Sequence, residues 1–329
     1  MPRLPRWLAL SFAALVVAAP ASAAPAGEVI VSALAGPPKP SFLARIRAGE
    51  LGGVILVGRW KPAEMRATTQ RLHAAGCAIG RPLLLLVDQE GGYARRLTWA
   101  APEQTARELG GLGVARTRSE ARATAAALRT AGIDVDLAPV ADTLAPGGFL
   151  GSRSFGSEAS AVGRLAAAFI GGLQAGGVAA TAKHFPGLGA SHRNTDDYAV
   201  KLRRSKLAPF RSAIDAGVKL VMVASASYPL LDPAGTPAVF SRPIVTGLLR
   251  EKLGFDGVVV SDALDAPAPA RTPHAPARAI RAGVDLLLYT SGSSAHAGYV
   301  DLASDRPAQL AAAIARVRAL KAWLGRGCG

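Results

Sequence analysis

Gly177-Val178-Ala179-Ala180-Thr181-Ala182 is apolar at all but one position and passes at once into Lys183-His184-Phe185-Pro186-Gly187, a cation, an imidazole and a turn. A strand with one wet face alternates polar and apolar residues, so a run of this kind suits a strand covered on both faces. The Pro-Gly pair marks the loop that follows, and loops that leave buried strands are where functional groups are commonly mounted.

Comparable runs occur at 28–33, 53–57, 82–87, 133–139, 219–224, 257–260 and 284–289, which makes eight with 177–182. Segments with helical spacing of apolar residues lie between them, at 62–75, 119–131, 159–175, 209–216 and 243–252. Eight buried strands alternating with helices predict an α/β fold, a single-domain (β/α)8 TIM-type barrel. An open doubly wound sheet is the runner-up, but the glycine-rich dinucleotide fingerprint is missing after the first strand. No linker divides the chain. The stretch 265–277, with Pro267, Pro269, Pro273 and Pro276, is expected to be an extended loop, and 307–324 to be a closing helix.

The first residues read as a secretory leader: Arg3 and Arg6, an apolar run over 8–18, and Ala21-Ser22-Ala23 as the small-residue cleavage pattern. The expected organisation is therefore a signal peptide over 1–23 and a barrel domain over 24–329, exported to the periplasm or the exterior with no stable membrane anchor. Half of the 329 residues are hydrophobic, enough to bury a sizeable core. Cys77 and Cys328 fit one bridge, which export would permit, and fit a buried free Cys77 equally well. The formal charge of +15 is mostly arginine spread along the chain. Solvated arginine-rich faces are the plainer reading, and electrostatic contact with anionic envelope polymers is the functional one. No compact basic run with interleaved aromatics points to nucleic acid.

Several chemistries lack their residues. There is no Gly-x-Ser-x-Gly elbow and no Gly-x4-Gly-Lys-Ser/Thr loop, and His73, His184, His192, His274 and His296 are scattered without metal-ligand spacing. Neither a metal nor a cofactor is expected.

In a barrel the catalytic groups sit at the C-terminal ends of the strands. The runs here end in or lead to Asp88-Gln89-Glu90-Gly91-Gly92, Asp142, Lys183-His184, Ser225 and Ser261-Asp262. Any one of these aspartates alone would be read as a helix cap or a loop ion pair. Together they form a set of carboxylates and cations that can hold a polyhydroxylated ligand and offer a carboxylate nucleophile.

Six ordered motifs make the chain resemble the β-N-acetylhexosaminidase branch of the family 3 glycoside hydrolases over about residues 28–290. They are Gly52-Gly53-Val54-Ile55-Leu56; Asp88-Gln89-Glu90-Gly91-Gly92 with Arg95-Arg96-Leu97; Leu137-Ala138-Pro139-Val140-Ala141-Asp142; Arg153-Ser154-Phe155-Gly156; Lys183-His184-Phe185-Pro186-Gly187; and Leu253-Gly254-Phe255-Asp256-Gly257 leading to Ser261-Asp262. The resemblance implies a (β/α)8 catalytic domain and retaining hydrolysis of β-linked N-acetylglucosamine from cell-wall or chitin-type glycans. It implies that Asp262 is the nucleophile that forms a covalent glycosyl-enzyme. Asp88 matches the carboxylate that binds remote sugar hydroxyls, and Arg96, Arg153, Lys183 and His184 match the other sugar contacts.

One loop departs from the family. Its acid/base is a histidine with an aspartate two residues earlier, and aligned without a gap those positions hold Asp196 and Asn194. Asparagine can neither donate nor take the proton that a retaining mechanism moves. Asp196 can if burial or a neighbouring carboxylate raises its pKa, with the adjacent Asp197 as the candidate neighbour. His192 is the weaker candidate, and turn-forming aspartates without catalytic duty are the plain alternative. Ala263 also stands where the family usually has a second aspartate. Two other functions stay open on these residues: a glycan-binding or scaffold protein that kept the sugar pocket and lost the acid/base, and a glycoside phosphorylase.

Overall fold

The computed structural model describes residues 25–328, so the expected leader over 1–23 lies outside the described residues. Eight parallel strands make the barrel: β1 (Ile30–Ala35), β2 (Gly53–Val57), β3 (Leu84–Val87), β6 (Val135–Asp136), β7 (Ala179–Phe185), β8 (Leu220–Val223), β9 (Val258–Ser261) and β10 (Leu287–Tyr289). A small antiparallel hairpin, β4 (Gln89–Gly91) and β5 (Ala94–Arg95), rises from the end of β3. Each strand of the barrel pairs with the next in chain order, and β10 pairs with β1. The remaining seam, β9 to β10, is closed by the bridge of Val260 with Leu286 and by the Ser261 N–H donating to Leu286 O at 2.9 Å. All eight apolar runs are thus strands of one barrel.

The strands are apolar on both faces because both are covered. Val31, Ile55, Leu84, Leu86, Val135, Leu220 and Val258 fill the interior, while Val54, Leu85, Val87, Ala180, Val221 and Val259 face the helices. Leu86 is fully buried, and truncation of such a leucine to alanine costs about 2–5 kcal/mol. Gly52, immediately before β2, is glycine because a Cβ there would lie 2.0 Å from Glu28 O.

The helices are α1 (Pro40–Arg47), α2 (Pro62–Cys77), α3 (Ala106–Thr130), α4 (Ala159–Ala175), α5 (Ala208–Asp215), α6 (Pro267–Ala270), α7 (Ala275–Ala282), α8 (Gly292–Ser304) and α9 (Leu310–Trp323), with a π-helix at Pro243–Lys252. Helix α3 begins well before the expected 119. A capping box starts it: the Glu108 N–H donates to Thr105 Oγ1 and the Thr105 N–H to Glu108 Oε2. Gly113, at φ 87°, then breaks the helical pattern. Helix α9 closes the N-terminal end of the barrel, pressing Val317 and Leu320 against the interior cluster. Cys77, at the end of α2, is bridged to Cys328, with the two Cα atoms 5.2 Å apart.

Two other segments also differ from their sequence reading. The stretch 265–277 is not an extended loop but holds α6 and the start of α7, because Pro267 and Pro276 occupy first-turn positions, where a helix needs no N–H donor. The run 133–139 forms only two ladder residues. Pro139 has no N–H to give, and aspartate side chains take over the outer positions: Asp134 Oδ2 accepts from the Leu85 N–H at 2.8 Å and Asp136 Oδ1 from the Gln89 N–H at 2.9 Å.

Candidate active site

The C-terminal ends of the strands enclose a cavity of ≈ 280 Å³. Asp88 follows β3, and Glu90, Tyr93 and Arg96 come from the hairpin and the residue after it. Lys183 and His184 are the last polar residues of β7, and Asp262 and Ala263 follow β9. Asn194, Thr195 and Asp196 come from the loop after β7. Gly91 (φ 103°) and Gly92 (φ 55°) turn the hairpin in the left-handed region, and a Cβ on Gly91 would meet Gln104 O at 2.1 Å. That close approach is what folds Glu90 back over the barrel mouth.

A buried ionic chain lines one side. Lys183, only 2% exposed, lies 2.7 Å from both Asp88 and Glu90, and Arg153 grips Glu90 with two bonds of 2.7 and 2.8 Å. Burial works against charge on Glu90, Arg153 and Lys183, yet the pairing prevails. Burial alone would raise the Glu90 carboxyl, but the charges of Lys183 and Arg153 hold it well below the usual range. Burial likewise would lower the Lys183 ammonium, and Asp88 with Glu90 turns the net shift upward. Arg96 is different: its buried Nε has no partner, leaving a guanidinium in the wall with donor capacity to spare.

His184 is held from below. Its Nδ1 lies 2.7 Å from Asp142 Oδ2, which also accepts the His184 N–H at 3.0 Å, while Asp142 Oδ1 accepts the Leu188 N–H. Two backbone N–H groups already donate to this carboxyl, so Nδ1, the ring nitrogen that faces it, is the one placed to donate, and Nε2 is left for a ligand. The Asp142 side chain thus fixes both the imidazole and the start of the following loop.

In that loop Asn194 Nδ2 donates to Asp196 Oδ2 and to Asp197 Oδ2, each at 3.3 Å, and Asn194 Oδ1 accepts the Asp196 N–H. Asp196 is partly exposed in the cavity wall, and its partial desolvation there and the charge of Asp262 both raise its carboxyl. The carboxylate that acts on Asp196 is therefore Asp262, which follows β9, two strands along the barrel, and not the adjacent Asp197 expected from the sequence. Asp262 Oδ1 accepts the Ala263 N–H at 2.9 Å.

The structure brings Asp88, Arg96, Arg153, Lys183, His184, Asp196 and Asp262 into the wall of one cavity. His192 is not among them. It is exposed, with Nδ1 2.9 Å from Gly147 O, because the turn after Leu188 points it outward. Glu90 and Asp142 stand within the sequence motifs without a role of their own. Their signal lay in the strand-end spacing, and their partners were invisible in sequence because Arg153, Lys183 and His184 come from other elements. Among the described residues no group of three or more His, Cys, Asp or Glu is arranged to hold a metal ion.

The described geometry has counterparts. Residues 32–320 match the family model of the glycosyl hydrolase family 3 N-terminal domain. A protein of Arthroderma benhamiae, named an uncharacterized secreted glycosyl hydrolase, is 36% identical over 308 residues, covering 86% of each chain. A β-hexosaminidase of Nitrosomonas eutropha is 35% identical over 259 residues, 72% of this chain and 73% of the relative. Among solved structures, the β-N-acetylhexosaminidase of Beutenbergia cavernae superposes with a TM-score of 0.83 at 34% identity, covering 90% of this chain and 97% of the other. The family 3 β-N-acetylglucosaminidase of a Paenibacillus species superposes with a TM-score of 0.86 at 31% identity, covering 93% of this chain, which spans 63% of that one. The chain belongs to glycosyl hydrolase family 3, through that family's N-terminal barrel domain.

Proposed function

We propose that this protein is a secreted, retaining β-N-acetylhexosaminidase that removes β-linked N-acetylglucosamine from cell-wall or chitin-type glycans. Asp262 is the nucleophile, attacking the anomeric carbon to form a glycosyl-enzyme as the leaving oxygen takes a proton from Asp196. Asp196, then ionised, takes a proton from the water that attacks the anomeric carbon and releases the sugar from Asp262. The observation that carries the reading is that these two carboxyls line one cavity, with the partly exposed Asp196 raised by partial desolvation and by the charge of Asp262. Two carboxyls whose environments separate their protonation are what acid and nucleophile roles require.

The remaining groups divide the sugar between them. Asp88 accepts from hydroxyls remote from the scissile bond, oriented by Lys183. The free guanidinium of Arg96 and Nε2 of His184 supply directional contacts, and Arg153, locked on Glu90, borders the same cavity. A cavity of ≈ 280 Å³ is at the small end for ligand sites and suits one sugar ring. Export is supported by the name of the Arthroderma relative and by the Cys77–Cys328 bridge, since disulfides persist in oxidising compartments.

The test is chromophore release from an aryl N-acetyl-β-glucosaminide by wild type and Asp262→Asn. Wild-type turnover with a loss of about 10³-fold or more in the variant is expected for removal of a nucleophile. Binding of N-acetylglucosamine with no turnover by wild type would turn the reading to a glycan-binding protein.

A further inference from the structure

At the opposite end of the barrel, where the strands begin, lies a second cavity of ≈ 400 Å³. One wall is the turn after α2, Ile79-Gly80-Arg81-Pro82, and the other is the end of α9 with the segment that follows, Arg318, Lys321 and Arg326. The Cys77–Cys328 bridge ties these two walls together beside the cavity.

The charges in this cavity do not balance. Arg318 spends two donors on Glu28, and Arg326 gives its Nε to Asp134. Arg81 and Lys321 have no such partner: among the described residues no carboxylate lies within 4.0 Å of either, and neither side chain makes a hydrogen bond. Lys321 is only 5% exposed and lines the cavity. Its stem is buried while its ammonium opens on the cavity, which Glu28 also lines, and lysine is seldom held in so enclosed a place without a direct partner. Burial pushes the Lys321 ammonium down to about 8; Arg318 and Arg81 push the same way, while Glu28 and Asp134 oppose them.

We infer that this cavity is a binding site for a phosphate group. Two unmatched cations suit a dianion. The unused donors of Arg318 and Arg326, added to Arg81 and Lys321, suit the several oxygens of a tetrahedral anion better than the two of a carboxylate. The volume leaves room beside the phosphate for the alcohol of an ester, so inorganic phosphate and a phosphate ester of an envelope polymer share the chemistry.

The site is tested by calorimetric titration of the whole mature protein with inorganic phosphate, with glycerol 3-phosphate and with sodium acetate, at constant ionic strength. Saturable binding of at least one phosphate compound is expected, at least tenfold tighter than acetate. Stronger binding of the ester would assign the site to an esterified source, and stronger binding of the free ion to inorganic phosphate. Lys321→Met is expected to weaken phosphate binding at least tenfold and to leave aryl glycoside turnover unchanged. Because the substitution removes an unpaired charge from a mostly buried side chain, the variant without ligand is expected to melt no lower than wild type, and phosphate is expected to raise the melting temperature of wild type more than that of the variant. Absence of phosphate binding, equal binding of acetate, or undiminished binding by folded Lys321→Met would overturn the assignment.

Discussion

Replacing Lys183 by methionine removes the cation at the centre of the buried ionic chain while nearly preserving its volume. Wild-type Lys183 is 2% exposed and contacts Asp88 and Glu90, each at 2.7 Å. Breaking a buried pair by deleting one partner costs about 3–5 kcal/mol, because a carboxylate is left without its counter-charge. Glu90 keeps its two bonds to Arg153, so the lower end applies, about 3 kcal/mol. For a chain of this size that is a fall in melting temperature of about 5 °C, read by scanning calorimetry at neutral pH. The difference has a pH signature. The folded pKa of Glu90 is depressed, so its pairing stabilises the protein above the unfolded value, about 4.3, and is lost as pH falls toward the folded value. The gap between wild type and Lys183→Met should therefore narrow below about pH 4. An unchanged melting temperature at neutral pH, or a gap that does not narrow in acid, would refute the role given to this lysine.

Two further outcomes are expected. Burial pushes the Asp136 carboxyl up to about 8, so the folded state holds its proton more tightly than the unfolded chain, and stability is lost as pH rises from about 4 to that value, by at most about 1.4 kcal/mol per pH unit. Asp136→Asn keeps an oxygen for the Gln89 N–H and should flatten this fall, measured as melting temperature at pH 6 and 9. Cys77→Ser removes the bridge to Cys328 and should cost about 2–5 kcal/mol in denaturant unfolding under non-reducing conditions, with no further loss on adding reductant.

Most of the barrel was legible because a parallel strand buried on both faces writes itself as an unbroken apolar run. The run 177–182 and the helix Ala159–Ala175 are examples where chemistry and period agree. The errors fall where a local rule met a positional exception. Pro267 and Pro276 read as breakers and are first-turn residues, and the start of α3 rests on a capping pair placed before its apolar periodicity begins. The strand ends named the cavity residues, since topology alone gathers them. What spacing could not show was direction: His192 and Asp196 share a loop, and only one lines the cavity. Nor could it show that the carboxylate whose charge acts on Asp196 is Asp262, from a strand two places along the barrel.

The role of Asp196 as proton donor beside an Asp262 nucleophile stands or falls on turnover by Asp196→Ala with and without azide. On an unactivated disaccharide of N-acetylglucosamine the variant should lose about 10²–10⁴-fold in kcat/KM, the usual worth of a positioned general acid. On an aryl glycoside, whose leaving group needs little protonation, bond cleavage should survive, and azide should restore turnover with a β-glycosyl azide as product. Full activity of Asp196→Ala on the disaccharide, indifferent to azide, would contradict that role.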